Sequence, residues 1–332
     1  MVEEDRFARF RAKQEKKQRK SIFSLENVIT YIFLLIAIGI WFFAFPLIVD
    51  KIKPDFQNIS ANASFNDNIM EIIMFDVGQG DAFLIKTPSG KFALIDGGSG
   101  KTTLDNYKGS DAGNRVILPY LNNKAVTSLD WVVMTHPDFD HCGGLIDVLN
   151  NIKVKEFIDP CIQDPSPFYE ELLTIIKEKN ISYIKAREGD ILAWDPSIVV
   201  QVLSAEHPLE MGNNNSSIVL RIAFGKISCL FPGDAEYEIE KELLTKYGDQ
   251  LKSQILKVGH HGSKSSSSLS FIRTVRPEIA LISVGVNNNY GHPDEQVLYR
   301  LKNIKSKIYR TDIDGTVVIK INGEKYNVTT EK

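Results

Sequence analysis

Between residues 69 and 332 the chain alternates short apolar runs with polar turns and with stretches of helical spacing. Ten runs rich in Ile, Val and Phe predict strands: "IMEIIMFDV", "DAFLIKTP", "KFALIDGG", "LDWVVMTH", "IVVQVLS", "SSIVLRIAF", "KISCLFPGD", "SQILKVGH", "EIALISVG" and "TVVIKING". Five stretches carry the 3.6-residue period of helices: "GNRVILPYLNNK", "FYEELLTIIKEKN", "EYEIEKELLTKYGDQL", "LSFIRTVR" and "DEQVLYRLKNI". In the second of these, Leu172, Leu173, Ile175 and Ile176 form one apolar stripe, and Glu170, Glu171, Lys177 and Glu178 cover the remainder. Strands come first as hairpins, and helices are interspersed throughout. The pattern predicts an α/β fold of the αββα type, two sheets face to face with helices outside. "NNNSS" (213–217), "SKSSSS" (263–268) and "NNN" (287–289) border apolar runs and predict loops at strand ends.

The N-terminal pattern is of another kind. No charged residue occurs from Asn27 to Val49. A helix over that stretch reaches about 35 Å, enough to cross a hydrocarbon core of about 30 Å. Residues 27–49 therefore predict one transmembrane helix. Before it, "RFARFRAKQEKKQRK" is rich in Lys and Arg, whereas only Lys51 and Lys53 follow closely. The positive-inside rule makes 1–26 a basic cytoplasmic tail and puts everything after Asp50 on the extracellular side of the cell membrane, held by a single pass. "AFPLIVDKIKPDF" is a poor cleavage site, so the span reads as an uncleaved anchor and not as a signal peptide. Residues 50–68, polar with several Asn and Ser, read as a linker to the folded domain at 69–332.

Composition changes this picture little: 43% hydrophobic and 24% charged residues are ordinary for a chain with a sizeable core. Cys142, Cys161 and Cys229 are too few and too scattered for a disulfide framework. Charge matters more. Beyond residue 53, Asp and Glu outnumber Lys and Arg, where a non-specific DNA binder is usually basic.

Candidate chemistry gathers at the ends of the apolar runs. "THPDFDHCGG" (135–144) places His136, Asp138, Asp140 and His141 just after one such run. Asp234 follows "CLFPG", His260 and His261 follow "LKVG", and His292 closes "VGVNNNYGHP". Of all the histidines, only His207 lies elsewhere. Singly, each residue reads as a cap or a satisfied loop side chain; jointly they read as a metal centre. Imidazole mixed with carboxylate suits Zn²⁺ or Mn²⁺, and a pair of such ions roughly 3.5–4 Å apart can activate water and hold both oxygens of a displacement. The Gly and Ser amides of "GHHGSKSSSS", with Lys264, form either an anion cradle or the N-cap of the next helix. Cys142 reads as a packing residue.

"HPDFDHCGG" resembles the H-x-H-x-D-H signature of the metallo-β-lactamase fold, with Asp138 where that signature has its second histidine. Further blocks, "MFDVGQGDAFLI", "KFALIDGG", "NNNSSIVLRI", "LFPGDAE", "LKVGHHGS", "YGHPDEQVLYRL" and "YRTDIDG", resemble the hydrolase domain of ComEC-type competence proteins over about residues 69–330. The multi-span channel of those proteins has no counterpart here, so a channel function is not implied.

The resemblance implies two divalent ions. His136, Asp138 and Asp234 would hold one, Asp140, His141 and Asp234 the other, with Asp234 bridging. His260 and His261 stand at the family's later histidine motif, one expected on the second ion and the other on substrate, and His292 fits either role. Asp140 and His261 are the expected catalytic residues. Asp76, Gln79, Asp81 and Asp96 match blocks near the metal loops and are expected behind the ligands. The fold usually gives the first ion a third histidine; His207 matches poorly, and Asn214, Ser216 or water is expected instead. Ser263, Lys264 and Asn214 are expected to meet substrate. The function implied is phosphodiester cleavage of DNA by a tethered, monomeric nuclease without organic cofactor. Hydrolysis of a cell-wall phosphodiester or of a lactone or lactam is the alternative. A catalytically inactive module that binds DNA or an envelope partner is another.

Overall fold

Met70, Ile72 and Met74 bury into one core while Ile73 and the adjacent Phe75 bury into a second. This two-sided burial, with side chains alternating at the period of a strand, repeats along the sheets. Trp131 and Val133 share the first core, and Leu129 and Val132 the second. Strands apolar on both faces need covering on both faces, which dictates four layers. The computed structural model describes residues 68–101, 109–162, 164, 166–207 and 211–332. The expected tail (1–26), transmembrane helix (27–49) and all but the last residue of the linker (50–68) lie outside the described residues. Within those described, no helix is long and apolar enough to cross a membrane.

The strands are β1 Met70–Met74, β2 Phe83–Lys86, β3 Phe92–Ile95, β4 Ser128–Val133, β5 Lys153–Asp159, β6 Ser182–Lys185, β7 Ile191–Leu192 and β8 Ile198–Ser204. They continue with β9 Val219–Phe224, β10 Ile227–Phe231, β11 Ile255–Lys257, β12 Ile279–Ile282, β13 Lys307–Arg310, β14 Val317–Ile321 and β15 Tyr326–Thr330. The first sheet has the order β15-β14-β1-β2-β3-β4-β5-β6 and the second β13-β12-β11-β10-β9-β8-β7. Each is antiparallel in one half and parallel in the other: β3 to β6 run together, as do β10 to β13. Phe83 of β2 meets Phe231 of β10 edge to face at 5.4 Å, one of the contacts that lock the sheets together.

Helices α1 Leu118–Asn123, α2 Phe139–Asn151 and α3 Pro167–Glu178 flank the first sheet, sharing its outer core through Leu121, Leu145 and Leu172. Helices α4 Tyr237–Tyr247, α5 Leu269–Val275 and α6 Glu295–Asn303 cover the second through Ile239, Phe271 and Val297, and a short α7, Thr311–Asp314, follows β13. The expected αββα sandwich is what the chain forms. All ten expected strands are present, together with β5, β6, β7, β13 and β15, whose short or half-exposed patterns carry weak period-two signals.

One expectation is corrected. Asp140 and His141, read as loop residues, lie in the first turn of α2. Gly143 and Gly144 look like a turn but sit inside that helix. A Cβ on Gly144 would fall 2.0 Å from the Gly97 carbonyl oxygen, and one on Gly143 would fall 2.5 Å from the Gly100 amide nitrogen. The pair is glycine so that α2 can press against the backbone of the "DGGSG" turn.

Candidate metal centre

The parallel strands of both sheets release their chains at the same edge, and the candidate ligands stand just beyond them. Asp96 follows β3, His136 follows β4, Asp234 follows β10, His260 and His261 follow β11, and Ser283 follows β12. Facing carboxyl ends of parallel strands are where open α/β folds place their sites.

Three imidazoles are turned so that each offers Nε2. His141 donates Nδ1–H to Asp96 Oδ2 at 2.9 Å, and Asp96 is itself fixed by the Thr135 amide and hydroxyl, both at 2.7 Å. His261 donates Nδ1–H to the Ser283 carbonyl at 2.9 Å, which settles its tautomer. His136 Nδ1 lies 3.1 Å from Thr135 Oγ1, leaving a buried Nε2 with no hydrogen-bond partner among the described residues. The Nε2 atoms of His141 and His261 are 3.3 Å apart, and Asp234 Oδ2 lies 3.3 Å from the first and 3.2 Å from the second. Asp140 Oδ2 lies 3.3 Å from His261 Nε2, and Asp138 Oδ2 lies 3.7 Å from His136 Nε2.

Four overlapping groups have metal-holding spacing in that convergence, two of them at its front: His136, His141 and Asp234, and Asp140, His141 and His261. Asp81 and Asp96 close behind them. The donor set fits divalent metal. The unpartnered, buried His136 Nε2 is free to take a cation, and Asp81, Asp96, Asp138, Asp140 and Asp234 against the single ammonium of Lys257 leave an excess of negative charge close to what two dications neutralise. Without metal, protons do that work. Burial opposes a charge on His141 and His261, but the carboxylates of Asp234 and its neighbours outweigh it and hold both rings well above the ordinary histidine range. Burial likewise opposes ionisation of Asp140, yet the His261 hydrogen bond and the two imidazolium charges keep its carboxyl below the usual value.

Other expected residues are distributed unevenly. His260 sits at the rim, its Nε2 3.8 Å from Asp234 Oδ2 and its Nδ1 3.2 Å from Glu236. His292 stands further out, its ring 5.6 Å from that of His260, and burial with the neighbouring imidazoles pushes its pKa down to about 4. Gln79 and Asp81 frame the site, but Asp76 does not: its carboxylate pairs with Lys332 at 3.1 Å. His207 stays away from the cluster, half-buried and bonded to Ser204 at 2.7 Å. The expected Asn214 and Ser216 are each one residue off register. Asn213 donates to Asp138 Oδ1 at 2.9 Å and to Asp164 Oδ2 at 2.8 Å, while Ser217 Oγ lies 3.4 Å from His136 Nδ1 and accepts from the Asp234 amide at 3.0 Å. Cys142 is buried, donates to the Pro137 carbonyl, and has its thiol pushed well up by burial and nearby carboxylates, as a packing residue should.

The Ser-rich turn has a different role from the cradle expected of Ser263 and Lys264. Its partner is internal: the Glu240 carboxyl of α4 accepts from the amides of Ser267 and Ser268, and Ser263 Oγ is engaged with Ser265. Lys264 is exposed. Burial raises the Glu240 carboxyl to about 7 despite those amides. Stability from protonated Glu240 is therefore complete below pH 4.5 and lost as pH rises through about 7. Thermal melts should show the domain losing on the order of 2–3 kcal/mol between pH 5 and pH 8 from this group, and Glu240→Gln should flatten that slope.

Sequence reading missed Lys257. Its side chain is fully buried, with Nζ 2.5 Å from Asp81 Oδ2, 3.0 Å from Asp234 Oδ1 and 2.6 Å from the Gly233 carbonyl. The available signal was a lysine inside the otherwise apolar run "ILKV" (255–258).

The metallo-beta-lactamase superfamily matches residues 75–286. The chain belongs to that superfamily. Its curated relatives include competence proteins of the ComEC type. It is 34% identical to ComE operon protein 3 of Bacillus subtilis over 253 residues, which cover 74% of this chain and 32% of that protein. It is 32% identical to Recombination protein 2 of Haemophilus influenzae, over 74% of this chain and 28% of that protein. The chain thus spans about a third of the length of these relatives. Among solved structures, a mutant of the CmlA β-hydroxylase shares the fold at 12% identity and a TM-score of 0.50, covering 76% of this chain and 54% of that one. The metallo-β-lactamase fold and the ligand clusters together are those of a metal-dependent hydrolase.

Proposed function

We propose that the protein is a membrane-anchored, metal-dependent phosphodiesterase that cleaves DNA on the outer face of the cell membrane. The observation that carries this reading is the convergence of His136, His141, His261, Asp140 and Asp234 beside a cleft of about 750 Å³ whose lining includes Asp138 and Asp140. His136, Asp138 and Asp234 would hold one divalent ion, and Asp140, His141, His261 and Asp234 the other. The oxygen-rich donor set suits Mn²⁺ as well as Zn²⁺. Bound there, the ions would supply an activated water and charge neutralisation at the phosphate.

The chain's own residues do the orienting. Asp96 and Ser283 hold two imidazoles in the tautomer that leaves Nε2 free. Asn213 fixes Asp138, and Lys257 occupies Asp234 Oδ1 so that Oδ2 alone faces the imidazoles. Resemblance to competence proteins favours DNA over other phosphodiesters. The purified protein with added Mn²⁺ should nick single-stranded DNA, and EDTA should stop it. Intact DNA alongside hydrolysed teichoic acid or lactone would replace this reading with the alternative substrate class.

A further inference from the structure

The cleft beside the cluster is unusual for a site proposed to take a polyanion. Its walls carry Asp138, Asp140 and Asp164 and, among the described residues, no Lys or Arg. Apart from bound ions, these walls offer a phosphate chain only neutral donors, such as the amides of Asn213, Asn287 and Asn289, and no cationic side chain. Much of the affinity for a polymer would then come from its uncharged parts, and Tyr290 in the same lining offers a flat ring for that purpose.

Tyr290 is 70% exposed, although it stands on a well-tied loop. The Asn288 side chain ties it. Its Nδ2 donates to the Gly285 and His292 carbonyls at 3.1 and 2.6 Å, and its Oδ1 accepts from the amides of Tyr290 and His292 at 3.2 and 3.0 Å. The loop base rests on Gln79: a Cβ on Gly285 would come within 2.8 Å of the Gln79 amide nitrogen. One face of the Tyr290 ring is stacked on His292, with centroids 5.8 Å apart and planes 25° apart. The next rings lead inward, His292 to His260 at 5.6 Å and His260 to His261 at 6.1 Å. Tyr290 therefore presents an open face, pre-ordered, on the wall of the cleft that reaches Asp140.

We infer that Tyr290 is a stacking platform for a nucleobase next to the scissile phosphate, which makes the substrate class single-stranded nucleic acid. The inference rests on the phosphodiesterase reading and narrows it. Every base has a π-face, so a platform of this kind tolerates any sequence, and base–aromatic stacking replaces the basic groove that this cleft lacks. Sugar-alcohol phosphodiesters of the cell wall have no such face. A fixed loop also spares the ordering cost that a mobile tyrosine would incur on binding.

The test uses the full chain in detergent with Mn²⁺ and two oligomers of equal length, an oligothymidylate and its abasic counterpart, which keeps the phosphodiesters and lacks the bases. An oligouridylate separates DNA from RNA as the source of the base. The wild type should prefer the base-bearing oligomer by at least about fivefold in kcat/KM, mostly through KM. Tyr290→Ala should bring that ratio close to one, and Tyr290→Phe should keep it. The ring is exposed and outside the core, and an unchanged melting temperature would exclude loss of the fold. Equal cleavage of both oligomers by the wild type, or an unaltered ratio in Tyr290→Ala, overturns the platform and leaves the nuclease reading standing. Failure to cleave either oligomer overturns both.

Discussion

If the centre holds the two ions proposed, Asp234→Asn is expected to strip both at once. Asp234 Oδ2 is the atom shared by His141 and His261, with His260 at its rim, so one oxygen serves both halves of the cluster. Asparagine keeps the volume and can still offer its amide oxygen to Lys257, which separates loss of ligation from loss of fold. Residues that merely orient a ligand commonly cost up to about 100-fold in metal affinity or activity, and a bridging ligand should exceed that. Metal analysis of the dialysed variant should find well under one equivalent of metal per chain. A variant that kept two equivalents would remove Asp234 from the bridging role.

Lys257→Met should lower stability strongly. Lys257 supplies the three protons that Asp81, Asp234 and the Gly233 carbonyl accept inside the protein. Removing one partner of a buried ion pair typically costs about 3–5 kcal/mol, because the charges left behind stay buried. For a domain of this size that is a fall of roughly 6–20 °C in melting temperature. Added Mn²⁺ should recover part of the loss, since a cation at Asp234 replaces some of the missing charge. Equal destabilisation with and without metal would mean that Lys257 serves the core and not the cluster.

How far the sequence foretold this arrangement differs from element to element. Strands buried on both faces, such as β1 and β10, announce themselves as apolar runs, so the sandwich and the gathering of candidate ligands at strand ends were legible. His136 and Asp234 were legible as candidates for the same reason, each standing just after such a run, and Asp140 and His141 by their closeness to His136, although they begin a helix and not a loop. Choosing among His260, His261 and His292 was not. That choice depends on backbone twist: His260 and His261 both have positive φ, 47° and 52°, which sends adjacent rings in different directions. Asn213 and Ser217 escaped because a run of like polar residues offers no register until the turn is built. Lys257 escaped because composition alone does not show that a buried ammonium has three acceptors waiting.

The close approach of α2 to the "DGGSG" turn has a consequence for variation in this protein. Asp96 stands on one side of that contact and Asp140 and His141 on the other, so the glycines set the distance between a ligand and the carboxylate that aims it. A scan of all single substitutions, scored for activity, should therefore mark Gly97, Gly143 and Gly144 as severely as His136 or Asp234, although no glycine side chain exists to touch an ion. Measurements of abundance in the same scan would tell the two groups apart: the glycine variants should disappear from the cell, and the ligand variants should accumulate as inert protein.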